Sequence, residues 1–252
     1  MKIRIRHLIF VFFFLFTINY IAQENSTTLY DSLSLKRVRI NLARNPDNLV
    51  KQVRKRSVLR VEGFTGFPYN LSLPLTIKQS GEPDINLTAD FASKPFEIPI
   101  YWVWRISYWK GNCSWELEAV HHKLFLKNNP LEVQDFSISH GLNFITINRG
   151  WQFSYFILRV GAGVVIAHPE SIIRNKKSPE NGGIFNWGYY LAGPAINIAA
   201  AKEFKIIKRL YAICELKLSS SFSHVPFYNG SADLFNIAVQ INFGLGFSLI
   251  RF

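Results

Sequence analysis

The stretch LFNIAVQINFGLGFSLIRF, Leu234 to Phe252, decides the fold. Its odd positions Phe235, Ile237, Val239, Ile241, Phe243, Leu245, Phe247 and Leu249 are large and apolar, while Asn236, Ala238, Gln240, Asn242, Gly244, Gly246 and Ser248 are small or polar. Side chains alternate across a β-strand, so one face of this segment suits oil and the other does not. A strand of a soluble sandwich alternates in the same way, usually for about 5 to 6 residues. Unbroken alternation from Phe235 to Leu249 exceeds the roughly 9 to 11 tilted residues that cross a bilayer. The competing reading at this point is a secreted or lipid-binding β-barrel of soluble type.

Working back along the chain, strands recur at hairpin spacing. From Pro95, the residues Phe96, Ile98, Ile100, Trp102, Trp104, Ile106 and Tyr108 share one face, and Glu97, Tyr101, Arg105 and Ser107 the other. Further strands are expected over Cys113–Leu126, Leu131–Ile147, Trp151–Ala167, Phe185–Glu203, Arg209–His224 and Asp233–Phe252. An even count, eight at the least, closes a single-chain bacterial barrel, so Val58–Phe67 or Ile85–Phe91 must supply the remaining strand. Short turns are expected at Lys110-Gly111-Asn112, Asn148-Arg149-Gly150 and Phe204–Lys208, and longer outward loops at Lys127–Pro130, His168–Ile184 and Val225–Ala232. The aromatic terminus Phe252 on a long amphipathic strand resembles the assembly signal of bacterial outer-membrane barrels. The predicted class is all-β: an eight-stranded antiparallel transmembrane β-barrel with a short N-terminal extension.

Residues 1–22 have a basic start (Lys2, Arg4, Arg6) and an apolar run from Leu8 to Phe16, the layout of a secretory signal peptide. Residues 23–83 form a basic N-terminal extension, including the possible strand near 58–67, and 84–252 the barrel. Removing the three basic residues of the signal still leaves most of a net charge of +12. Much of it lies in Lys36, Arg37, Arg39, Arg44, Lys51, Arg54, Lys55, Arg56 and Arg60. Asn45-Pro46 predicts the start of a short basic helix to about Arg56. This stretch either meets anionic membrane phosphates or is a solvated linker. With no recognisable binding module, nucleic acid is not an expected partner. Outer-membrane lipids are, and the barrel is expected to be a monomer. Two cysteines, Cys113 and Cys214, are too few for a disulfide framework and fall by parity on the apolar faces of different strands.

Eight strands leave only enough lumen for side chains. The inward positions Arg105, Glu116, Glu118, Ser137, Glu215, Lys217 and Ser219 predict an ion-pair network. Histidines gather where strands reach the outer rim: His121, His122, His140 and His168. A hairpin turning near Asn128 and Asn129 sets His121 opposite about Ser137 and Lys123 opposite about Asp135. Imidazoles with Asp135 and Asn143 at one rim can hold a divalent metal, although the spacing is not diagnostic.

The segments PFEIPIYWVWRISYW (Pro95–Trp109), AVHHKLFL (Ala119–Leu126), FSISHGLNFITIN (Phe136–Asn148), LRVGAGVVIAHPE (Leu158–Glu170) and YYLAGPAINIAAAKEF (Tyr189–Phe204) resemble, in order, the outer-membrane lipid A oxidase family. The resemblance implies an outer-membrane barrel that oxidises the proximal glucosamine of lipid A with oxygen, assisted by a divalent metal. It places His121, Lys123, Asn143 and His168 as catalytic residues, while the clustering of rim imidazoles with an acid offers His121, His140, His168 and Asp135 as metal ligands. His140 and Val103 depart from the family pattern, which has an acidic residue and a glycine there. The alternative is a non-enzymatic structural or adhesive barrel acting through its loops. FSHVPFYNG (Phe222–Gly230) is faintly similar to the lipid A deacylase run, but Pro226 stands at the nucleophile's place and has no oxygen to attack with.

Overall fold

The structure, a computed structural model, describes residues 57–178 and 181–251. The signal peptide, the basic helix and most of the basic extension lie outside them. The described chain forms β1 (Ser57–Asn70), β2 (Leu73–Gln79), β3 (Ile85–Ala89), β4 (Phe91–Ala92), β5 (Trp102–Lys110), β6 (Cys113–Leu126), β7 (Val133–Gln152), β8 (Ile157–Ala167), β9 (Glu170–Ile173), β10 (Lys176–Lys177), β11 (Tyr190–Lys205), β12 (Leu210–Phe227) and β13 (Gly230–Arg251).

Antiparallel pairing runs β1–β5–β6–β7–β8–β11–β12–β13 and returns from β13 to β1, which closes an eight-stranded barrel. Of the two choices for the remaining strand, the segment containing Val58–Phe67 closes the ring as β1, and Ile85–Ala89 forms β3 in an accessory hairpin with β2. Closure leaves no ring edge to be hydrogen-bonded by lipid, which has nothing to offer it.

The face assignment of β13 holds: Phe235, Phe243, Leu245, Phe247 and Leu249 are exposed, whereas Asn236, Ala238, Gln240 and Asn242 are buried. Trp104, Ile106, Tyr108, Trp115, Leu117, Ile147, Ile196, Ile198 and Leu218 continue the apolar exterior around the ring. A soluble barrel hides such residues, so this is a transmembrane barrel.

The inside carries the charge. Arg105 lies within ion-pair distance of all four fully buried carboxylates among the described residues: Glu62 at 2.8 Å, Glu215 at 2.7 Å, Glu116 at 3.4 Å, and Glu118. Arg159 bridges Glu116 at 3.0 Å and Glu215 at 3.2 Å, and Lys217 reaches Glu118 at 2.5 Å. Tyr211 donates to Glu62 and Ser114 to Glu116. The predicted network therefore gains Glu62 and Arg159, and loses Ser137. That serine sits higher in the molecule and donates to the Glu170 carbonyl.

Two expected connections are corrected. Asn148-Arg149-Gly150 is not a turn: β7 runs on to Gln152, and the connection to β8 is residues 153–156. Gly150 serves close approach, since a Cβ there would meet Ser114 Oγ at 2.2 Å and Glu116 Oε1 at 2.8 Å. Val225–Ala232 is not a loop either, because β12 and β13 stay paired to Phe227↔Gly230 around Tyr228-Asn229.

Beyond the barrel wall the same strands continue with their faces inverted. On β12 the inward Glu215, Lys217, Ser219, Ser221 and Ser223 give way to inward Val225 and Phe227, and the outward Leu216 and Leu218 to His224. On β6, Glu116 and Glu118 give way to Leu124 and Leu126. These residues join Leu75, Ile77, Ile85, Phe91, Val133, Phe136, Ile138, Ile173, Ala232 and Leu234 in a buried apolar core that caps one end. Apolar-out becomes apolar-in where lipid gives way to water, since burial is favoured only against water.

Candidate functional site at the membrane boundary

The histidines gather where the faces invert. Between β6 and β7 the register shifts: His122 pairs with Leu142 but Leu124 with Ile138, so β7 carries extra residues around Ser139-His140-Gly141. Gly141 accommodates the bend at φ +122, a conformation side chains disfavour. The observed pairing corrects the expected register, which set His121 opposite Ser137; His121 pairs with Asn143. Most of the offset comes from the turn, which is centred near Leu131 and not at Asn128-Asn129, so that Phe125 already pairs with Ser137; the bulge adds the last two residues.

His121 Nδ1 lies 2.8 Å from Asn143 Oδ1, and its ring stacks on Trp102 at 5.5 Å between centroids. Its Nε2 is buried with no hydrogen-bond partner among the described residues. His121 and Asn143 share a groove of about 570 Å³ with His140, walled by Trp102, Ile145, Ile166, Phe185, Trp187 and Tyr189. By strand parity this groove lies on the outside of the barrel, on the face that bears Trp115 and Leu117. Lys123 shares that parity but is covered, donating at 2.8 Å to the carbonyl of Glu97. It is held by the strap before β5 and does not line the groove.

His168 stands apart from His121 and meets His140, with ring centroids 5.0 Å apart. β7 pairs with β8 up to Leu142↔Ala167 and with β9 from Ser137↔Glu170, so His140 and His168 fall in the gap of the ladder between them. Glu170, at the start of β9, puts Oε1 2.6 Å from His140 Nδ1 and 4.0 Å from His168 Nε2. Sequence reasoning missed Glu170, although its signal was there in His168-Pro169-Glu170. Of the four expected metal ligands, His140 and His168 come together with Glu170, one donor atom from each lying within 4.8 Å of the others. Asp135 and His121 are outside that group; Asp135 shares a smaller pocket of about 170 Å³ with His168 and Glu170. Two imidazoles and one carboxylate fit a divalent metal by donor chemistry. The deacylase-like run forms the tip of the β12–β13 hairpin, with His224 Nδ1 2.6 Å from Asp233.

No family model matches the sequence, and no curated protein matches it. Among solved structures, the chain is similar to Neisserial surface protein A (NspA), at 8% identity and TM-score 0.36 over 77% of this chain and 97% of that one. It is also similar to Ail, the attachment invasion locus protein of Yersinia pestis, at 7% identity and TM-score 0.29 over 75% and 99%. No site residue is transferred from either.

Proposed function

We propose that this chain is a barrel of the bacterial outer membrane that receives an outer-leaflet glycolipid of the lipid A class in the groove between Trp102 and Trp187. The observation that carries the reading is His121 Nε2, buried without a hydrogen-bond partner among the described residues, in an aromatic-walled groove on the lipid-facing side. A buried imidazole nitrogen left unsatisfied is costly unless a ligand meets it. Aromatic rings suit the interface between acyl chains and sugar, where one end is apolar and the other wet. His121 and Asn143 then contact the sugar or phosphate, Trp102 holds the imidazole ring in place, and the apolar wall excludes water. The resemblance to lipid A oxidases adds a sharper form, in which molecular oxygen is the oxidant of the proximal sugar at this rim and a divalent metal, when bound, would assist the reaction.

Mass spectrometry of lipid A from cells with and without the gene tests both forms. Retention of lipid A by the purified wild-type barrel, reduced severalfold in His121→Ala and Trp102→Ala, is the expected result for binding. Gain of one oxygen on the proximal sugar, absent in His121→Ala, is the expected result for oxidation. Equal lipid retention by all three proteins overturns the groove reading. The second reading, a non-enzymatic structural or adhesive barrel, is favoured by the apolar-cored cap, which presents Ile98 and Leu131 almost fully exposed. An unmodified lipid A profile with retention unaffected by either substitution selects it.

A further inference from the structure

We infer that His140, His168 and Glu170 form a binding site for one divalent first-row transition metal. The site deepens the oxidation form of the proposed function, on which its role rests, but its geometry is independent of lipid. Three features of the backbone build the cluster. The bulge on β7 turns His140 outward; the ladder gap between β8 and β9 leaves His168 facing it; and the amide of His168 donates at 3.1 Å to the carbonyl of Gly141, tying the two windows together.

The separations bracket what a metal needs. Ligands about 2.0 to 2.2 Å from one ion lie about 3 Å from each other. Glu170 Oε1 stands at 2.6 Å from one imidazole and 4.0 Å from the other, and one donor atom from each of the three side chains lies within 4.8 Å of the others, within reach of a common ion by side-chain rotation. The other carboxylate oxygen, Oε2, accepts from Ser139 Oγ, the kind of outer support that orients a ligand carboxylate. Tyr189 packs edge-on against His168 at 4.9 Å and donates from its hydroxyl to the His140 carbonyl, fixing both residues from the loop side. A simple His140–Glu170 ion pair accounts for the 2.6 Å contact but not for His168 being held beside it.

The donor set also names the metal class. Two imidazoles and one carboxylate favour Zn²⁺, Mn²⁺, Fe²⁺ or Co²⁺ over Mg²⁺ and Ca²⁺, which prefer oxygen. With three protein ligands at a half-exposed rim, coordination positions remain for water or another ligand. His140 also lines the lipid-facing groove and Glu170 the smaller pocket, so the site lies in the wall between them.

The test uses the full-length chain, refolded in detergent without lipid and stripped with chelator. Titration with Co²⁺, read by its visible absorption, and with Zn²⁺, read by calorimetry, is expected to saturate at one equivalent. Glu170→Gln, nearly isosteric, and His168→Ala are each expected to weaken binding by 10-fold or more, while His224→Ala, at the exposed hairpin tip, leaves it unchanged. Heat-modifiable migration establishes that each variant is folded. Absence of saturable binding, binding unaffected in the Glu170→Gln/His168→Ala double variant, or equal competition by Mg²⁺ overturns the site. Because no lipid is present, failure here leaves the groove reading standing, and lipid retention in chelator tests that one separately.

Discussion

Along β6, β12 and β13 the inward side of the strand changes chemistry without changing side. In the membrane-spanning part it carries Glu116, Glu118, Glu215, Lys217, Gln240 and Asn242; in the cap it carries Leu124, Leu126, Val225, Phe227, Ala232 and Leu234. The two interiors are equally buried, yet they are held differently. The lumen is filled by long charged side chains because alternation commits the outer face to lipid, and the lumen's stability rests on every charge having partners. The cap faces water outside, so it is held by the ordinary burial of apolar surface. Damage to the lumen should therefore leave a charge stranded, whereas damage to the cap should leave only a cavity.

The largest expected effect follows from Arg105. Arg105→Ala removes the one cation among the described residues that touches all four fully buried carboxylates and should cost roughly 3 to 5 kcal/mol, lowering the urea midpoint of the whole barrel. Adding Glu118→Gln should return part of that loss, because it removes one stranded charge. Additive losses would show that the lumen is stabilised by packing, as the cap is.

In the cap, Leu75→Ala should cost about 2 to 3 kcal/mol, the low end for a buried leucine, because the β2–β3 hairpin at the margin can settle into the space. The effect should stay local. Limited proteolysis should cut the β2–β3 hairpin faster while the barrel keeps its heat-modifiable migration; loss of that migration would show the two interiors to be one cooperative unit.

The smallest expected effect is electrostatic and lies at the tip of the β12–β13 hairpin, outside the membrane. A hydrogen bond from His224, seconded by one from Lys78 at 3.2 Å, holds the Asp233 carboxyl below its ordinary range. A carboxyl lowered in this way contributes stability above its unfolded value of about 3.9, and that contribution is lost as pH falls through the lowered folded value. Amide protection at Tyr228 and Asn229 should weaken below about pH 4 by a few tenths of a kcal/mol, as for other exposed pairs. Asp233→Asn should flatten that dependence. Protection unchanged by pH in the wild type would show that pairing of the strands alone holds the tip.

Much of the barrel was legible in the chain because lipid imposes a two-residue period that survives in Phe235–Leu249 and in Trp102–Tyr108, and parity alone then placed Arg105, Glu118, Glu215 and Lys217 inside. Glu62 and Arg159 escaped notice because the alternation around them is broken by glycines and small residues, and the inversion of faces in the cap escaped because alternation has no sign. It shows two faces and not which of them meets water. At the site, the residue types at the rim were readable, as was the nearness of His140 to His168 in outline. Their partners were not. His121 meeting Asn143, and Glu170 closing on both other histidines, depend on a register shift at Gly141 and a gap between β8 and β9, and both are set by how β7 pairs with β6 along one edge and with β8 and then β9 along the other. Periodicity along a single strand records which way a side chain points; only the pairing of strands decides what it points at.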